Sequence, residues 1–311
     1  MRDKDQESAI ARENVRRAMQ LYGEANMAKK RVVLTGACGY VAQRMFDDLA
    51  ERYDLVPMDN RTTTKDGREI PGIVACDLTD PHRDSYCRYF ANADAVIHCA
   101  FVSAPGGDAT TWRDTGDAKF QAEQRNIAMA YNIYRTCLEQ GVRRVVVASS
   151  NHAADYYERL IWADRFNLVT PELIPLSDNF YGWAKAAYEL LGFVFATGKV
   201  GGRKLEVIQW RIGAPRDDDI DQVKPGDMKG MHRALGAYLS QRDQVQQVVR
   251  MVETENIEDE NGIPYLVVYG ISGNSHRFWS IANACQKLGY RPQDDSQVEF
   301  ADKIAALLRT R

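Results

Sequence analysis

From Arg31 onward the sequence alternates short apolar runs with longer segments of helical spacing, and few folds accept that pattern. The runs are RVVLTG, YDLVPMDN, PGIVACDLTD, ADAVIHCAF, RRVVVASSN and LEVIQWRIG. Helix-patterned VAQRMFDDLAERY, FQAEQRNIAMAYNIYRTCLEQG and YGWAKAAYELLGFVFATG lie between them. Strands covered on both faces read as near-continuous apolar runs, and strand–helix alternation joins them by right-handed crossovers. The expected fold class is α/β, a doubly wound parallel sheet occupying residues 30–214. Residues 215–311 are less regular and are expected to form mostly a small C-terminal substrate-binding lobe interleaved with the sheet domain. Residues 1–29 are charged and helix-prone, and read as an N-terminal helical extension: a docking or oligomer helix, or a frayed tail.

Composition narrows the class. A chain of 311 residues with 45% hydrophobic and 27% charged residues has ample length for a buried core. A net charge of −3 gives no basic footprint, so nucleic acid is not an expected partner. No apolar run approaches the ~20 residues of a membrane span, and no secretory signal core opens the chain. A cytoplasmic protein without a membrane partner is expected. The six cysteines are scattered without a CxxC pair and the five histidines lack ligand spacing, which argues for reduced thiols and no metal.

The first turn reads Thr35-Gly36-Ala37-Cys38-Gly39-Tyr40-Val41-Ala42. Gly36 permits a tight turn, Gly39 lets backbone amides approach a pyrophosphate, and Ala42 permits close helix packing. Glycine patterns are common, but this one follows a strand and opens a helix, the context of a Rossmann-type dinucleotide site. The second strand ends at Asp59, where a carboxylate can accept from the adenosine ribose hydroxyls and repel a 2′-phosphate. This favours NAD over NADP, although neighbouring Arg61 can hold a phosphate. Asp77 and Leu78, ending the third strand, suit the adenine end of the pocket; an exposed loop acid is the competing reading for Asp77.

The fifth strand ends in Ser149-Ser150-Asn151-His152, at the sheet edge where open α/β folds bind ligands. Hydroxyls there can also merely cap a helix. Tyr181 lies four residues before Lys185, so both share one helix face. The ammonium is expected to lower the phenol pKa and to contact the nicotinamide ribose, making Tyr181 a general acid/base, while Ser150 holds the reacting oxygen.

In the order TGACGYVA, DL at 77–78, VIHCA, Asn126, ASSN and YGWAK, the chain resembles the extended short-chain dehydrogenase/reductase family, the NAD-dependent epimerase/dehydratase-like enzymes, over roughly residues 31–300. SSNH at 149–152, YGISGNSHRFWS at 269–280 and LGYRPQDD make it look most like uronate dehydrogenases and related NAD-dependent aldose dehydrogenases. The resemblance implies cofactor contacts at Gly36, Cys38, Gly39, Tyr40, Val41, Asp59, Asp77, Leu78, Ala100, Asn126, Ser149, Tyr181 and Lys185. It implies substrate contacts at Ser103, Ser150, Asn151, His152, Tyr181 and Arg233, the last of which matches an arginine that holds a substrate carboxylate. A satisfied structural histidine is the alternative for His152, and a surface helix arginine the alternative for Arg233.

The expected activity is NAD-dependent oxidation of a pyranose C1 hydroxyl to a lactone, with uronates first and aldoses or aldose 6-phosphates next. A homo-oligomer is expected. Two alternatives are a nucleotide-sugar epimerase or dehydratase, for which the 130 residues after Tyr181 are few, and a non-catalytic NAD(P)-binding sensor. Ala214 stands where a substrate-contacting serine is expected. Both the Ser150–Tyr181 interval and the stretch from 215 to 232 are long for the family, which leaves the sugar open.

Overall fold

A computed structural model describes residues 29–104 and 114–309 of the chain. The helix expected within residues 1–29 falls outside them, apart from the non-helical Lys29. Arg31–Arg311 forms one compact unit.

Seven strands build one parallel sheet: β1 Arg31–Thr35, β2 Asp54–Asp59, β3 Val74–Ala75, β4 Ala95–His98, β5 Arg144–Ser150, β6 Glu206–Ile212 and β7 Tyr265–Gly270. Their spatial order is β3-β2-β1-β4-β5-β6-β7. The order reverses between β1 and β4, so a crevice opens beyond their carboxyl ends, the place where such sheets bind ligands. Alternate residues of each strand feed opposite faces. Val32, Leu34, Ile97, Val146, Ile208 and Trp210 join one core, whereas Val33, Val96, Val145, Val147 and Val207 join the other.

The six anticipated strands are all present, but β3 is reduced to the two residues that pair with Met58 and Asp59. The segment VAQRMFDDLAERY is two helices, Tyr40–Gln43 and Phe46–Arg52, separated at Arg44 and Met45. The two long helices are Asp117–Glu139 and Phe180–Ala196. After residue 214 the chain returns to the sheet. β7 pairs with β6 over six registers, and Met251 and Val252 of the helix Gln241–Glu253 join the sheet core. Only a small satellite core, including Ile220, Met231, Leu235, Tyr238, Phe300 and Ile304, belongs to the C-terminal segment alone.

Candidate active site

The turn after β1 is shaped by close approach. Gly36 has φ +71°, and a Cβ there would lie 2.4 Å from the Ala100 nitrogen after β4. Only glycine lets the two loops touch in this way. Asp59 fixes the turn from the side: one carboxylate oxygen accepts the Cys38 N–H at 3.0 Å and the other accepts the Arg61 N–H at 3.1 Å. The Arg61 guanidinium donates to the Cys38 carbonyl at 3.1 Å. No side chain caps the helix that begins after Gly39, so the first-turn amides of Tyr40 and Val41 remain available to a phosphate. This donor set fits a dinucleotide.

Two asparagines of the helix Asp117–Glu139 hold the neighbouring loops. The Asn126 amide oxygen accepts from Val102 N–H at 2.8 Å, and its nitrogen donates to Val102 O and to Glu123, each at 3.0 Å. Asn126 therefore pins the backbone after β4. Asn132 does the same for the loop after β3, donating to Leu78 O and Asp80 O. Leu78 is buried, while Asp77 is exposed and accepts from the Thr79 amide and hydroxyl. Ser103 is exposed at the end of the described stretch after β4.

At the end of β5 the two serines face opposite ways, as strand alternation demands. Ser149 donates to buried Glu189 at 2.5 Å, and Glu189 is paired with Arg211 at 2.8 Å in the interior. Its hydroxyl is thus part of an internal ion-pair network. Ser150 instead lies within hydrogen-bonding reach of the Tyr181 phenol and accepts the His152 N–H at 3.2 Å.

Tyr181 and Lys185 sit in the first two turns of the helix Phe180–Ala196. Asn179 caps this helix, its Oδ1 accepting the Gly182 N–H at 2.9 Å. Gly182 is required by packing: a Cβ would lie 2.1 Å from the His152 carbonyl oxygen. That contact brings Tyr181 against the segment Asn151–Tyr157, with the His152 and Tyr181 rings edge-to-face at 5.6 Å.

Lys185 Nζ donates to Ala148 O at 2.8 Å and lies 5.3 Å from the Tyr181 ring centroid. Burial lowers the ammonium pKa to about 8, with Glu123 opposing. Burial also pushes the phenol up to about 12, while the Ser150 hydrogen bond and the Arg216 charge pull it down. Burial thus dominates the phenol, and the opposing pull comes from Ser150 and Arg216 rather than from Lys185.

Four features around this centre were not legible in the sequence. A buried ion pair, Lys119–Glu123 at 2.8 Å, places a second ammonium 5.3 Å from the Tyr181 ring. Asp155 accepts from His152 Nδ1 at 2.6 Å and from Asn179 at 3.0 Å, locking the imidazole. Arg216 lies beside the Tyr40 ring and acts on Tyr181, linking the turn after β1 to the phenol. Arg233, expected to hold a substrate anion, donates from Nε to both oxygens of Glu158 at 3.0 and 3.2 Å. The i,i+4 spacing marks Lys119–Glu123 as a helical pair but not as a buried one. The other partners are brought together by loops.

Residues 32–195 match the NAD dependent epimerase/dehydratase family. The chain belongs to this family, and NAD is its cofactor; the class is that of an NAD-dependent oxidoreductase. Over 274 residues it is 30% identical to the L-arabinose 1-dehydrogenase (NAD(P)(+)) of Haloferax volcanii, covering 86% of this chain and 97% of the relative. It is 29% identical over 280 residues to the NAD-dependent glucose-6-phosphate dehydrogenase of the same organism, covering 85% and 94%. A solved structure described as a mutated uronate dehydrogenase superposes with a TM-score of 0.67 at 26% identity, covering 90% of this chain and 87% of that one. No described helix is long and apolar enough to cross a membrane.

Proposed function

We propose that the protein oxidises the C1 hydroxyl of a pyranose sugar to a lactone. The observation that carries this reading is the Tyr181 phenol set between Ser150 and Lys185, beside buried sugar-compatible groups. Asn151 Nδ2 and Asp155 Oδ1 are buried without a hydrogen-bond partner, one a donor and one an acceptor. Sugar hydroxyls can satisfy both. The relatives named above are all sugar dehydrogenases, and one name specifies position 1, which supports the same reading.

When bound, NAD supplies the hydride acceptor. The turn amides near Gly36–Val41, Asp59 and Lys185 are the groups that would hold it. Ser150 orients the C1 oxygen, and Tyr181 accepts its proton as the C1–H hydride leaves and the carbonyl forms. Lys185 holds positive charge beside the phenol, favouring its ionised form as the proton is taken. Asn151 and His152 position the remaining hydroxyls.

A screen of aldoses, uronates and aldose 6-phosphates with NAD, read by NADH absorbance, tests the proposal. NADH formation with one sugar class and the matching aldonolactone as product is expected. Turnover of a nucleotide sugar with no net NADH release, and no oxidation of free sugars, would instead establish the epimerase alternative.

A further inference from the structure

The expectation that Arg233 grips a substrate carboxylate meets a structural obstacle. Its Nε edge is already held by Glu158, a half-buried pair in which the carboxylate side chain is 14% exposed. Glu158 opens the short helix Glu158–Ile161, directly after the segment that carries Asn151, His152 and Asp155. The surrounding charges are also paired within the chain. Arg159 meets Asp178 at 3.0 Å, Arg216 meets Asp219 at 3.8 Å, and His152 meets Asp155 at 2.6 Å. Each arginine of this patch therefore faces a carboxylate of its own.

We propose that Glu158 is a specificity-determining residue: by occupying Arg233 it bars anionic sugars and directs the site to neutral aldoses. This deepens the sugar-dehydrogenase reading and rests on it. A sugar carboxylate would enter a patch holding Asp155, Glu158, Asp178 and Asp219, in which each described arginine already faces a carboxylate of the chain. Desolvating an anion without a partner is strongly unfavourable, and like charges discriminate against the wrong ligand. A neutral sugar meets no such conflict. Arg233 Nη2 is buried without a hydrogen-bond partner, as are Asn151 Nδ2 and Asp155 Oδ1. A hydroxyl both donates and accepts and so matches this mixture, whereas a carboxylate only accepts.

The test compares kcat/KM of the full chain with NAD for galactose and galacturonate, which differ at C6. Wild type is expected to favour galactose by about tenfold or more. Glu158→Gln, which keeps the shape and frees the guanidinium charge, is expected to raise the galacturonate-to-galactose ratio by about 10–150-fold, the range for a hydrogen bond to a charged group. Adding Arg233→Ala to that variant should remove the gain. Wild-type preference for galacturonate overturns the proposal whether or not the variant folds, and so does an unchanged ratio in a folded Glu158→Gln protein. In both cases the dehydrogenase reading survives. No NADH from any sugar sinks both.

Discussion

The loops on the cofactor side of the sheet edge are tied by side chains that satisfy nearby backbone groups. Asp59 holds the Cys38 amide, Asn126 holds Val102, and Asn132 holds Leu78 and Asp80. The segments 151–179 and 215–240 carry, besides their backbone bonds, a set of ion pairs: Arg233 to Glu158, Arg159 to Asp178 and Arg216 to Asp219. The two devices constrain evolution differently. A backbone group fixed at a strand end must be satisfied wherever the fold is kept, whereas a surface or half-buried ion pair can be exchanged without disturbing the sheet. One enzyme frame can therefore keep its redox machinery and change its sugar.

The sharpest way to break this division is at Tyr181, where the two sides meet. Tyr181→Phe is expected to lower kcat roughly 10²–10⁴-fold, the scale of a lost general acid/base, while leaving NAD affinity nearly intact. Single-turnover kinetics with separate measurement of NAD binding checks both halves of the statement. Near wild-type turnover would remove Tyr181 from the chemistry.

The next effect is smaller and confined to the cofactor. Asp59→Ala removes the acceptor of the Cys38 and Arg61 amides and is expected to raise KM for NAD by about 10–150-fold, the range for hydrogen bonds to a charged group. The preference for NAD over NADP should narrow, because the carboxylate that repels a 2′-phosphate is gone. KM for the sugar should move far less. Comparable changes in both would show that the two sides are not separable.

Lys185 sharpens the comparison through stability. Its ammonium is buried, and the folded-state pKa of about 8 lies below the ordinary lysine value. Between about pH 8 and 10.5 the unfolded chain therefore binds more protons, so this lysine's contribution to stability rises with pH and is lost as pH falls through 8. Lys185→Met is expected to abolish most turnover while raising Tm by a few degrees at pH 7, an advantage that shrinks toward pH 10. Thermal unfolding of the two proteins at both pH values measures it. A lower Tm for the variant at pH 7 would mean that the bond to Ala148 O outweighs the burial cost.

The same contrast explains what could be read from the sequence. Six strands were visible because their apolar runs are continuous and each is followed by turn residues. β7, YLVVYG, is equally apolar, but it follows an irregular stretch that hides its place in the sheet. Gly36, Asp59, Ser150, Tyr181 and Lys185 were legible because turn geometry, strand ends and helix spacing constrain residue type at fixed intervals. The bond from Ser149 to Glu189 was not legible, because adjacent strand residues face opposite sides and a dipeptide of two serines conceals which one faces inward. Glu158 could not be found at all. Its partner lies 75 residues away in the chain, and nothing local to either residue marks the pairing.

The central claim is that Tyr181 takes the proton while the C1 hydrogen leaves as hydride, and isotopic labelling tests it most directly. An aldose deuterated at C1, turned over by the wild-type enzyme with NAD, should deliver its deuterium to the reduced cofactor and form the unlabelled lactone. Mass spectrometry of the NADH fraction reads the transfer. Reduced cofactor lacking deuterium, or a product that retains it at C1, would contradict the account.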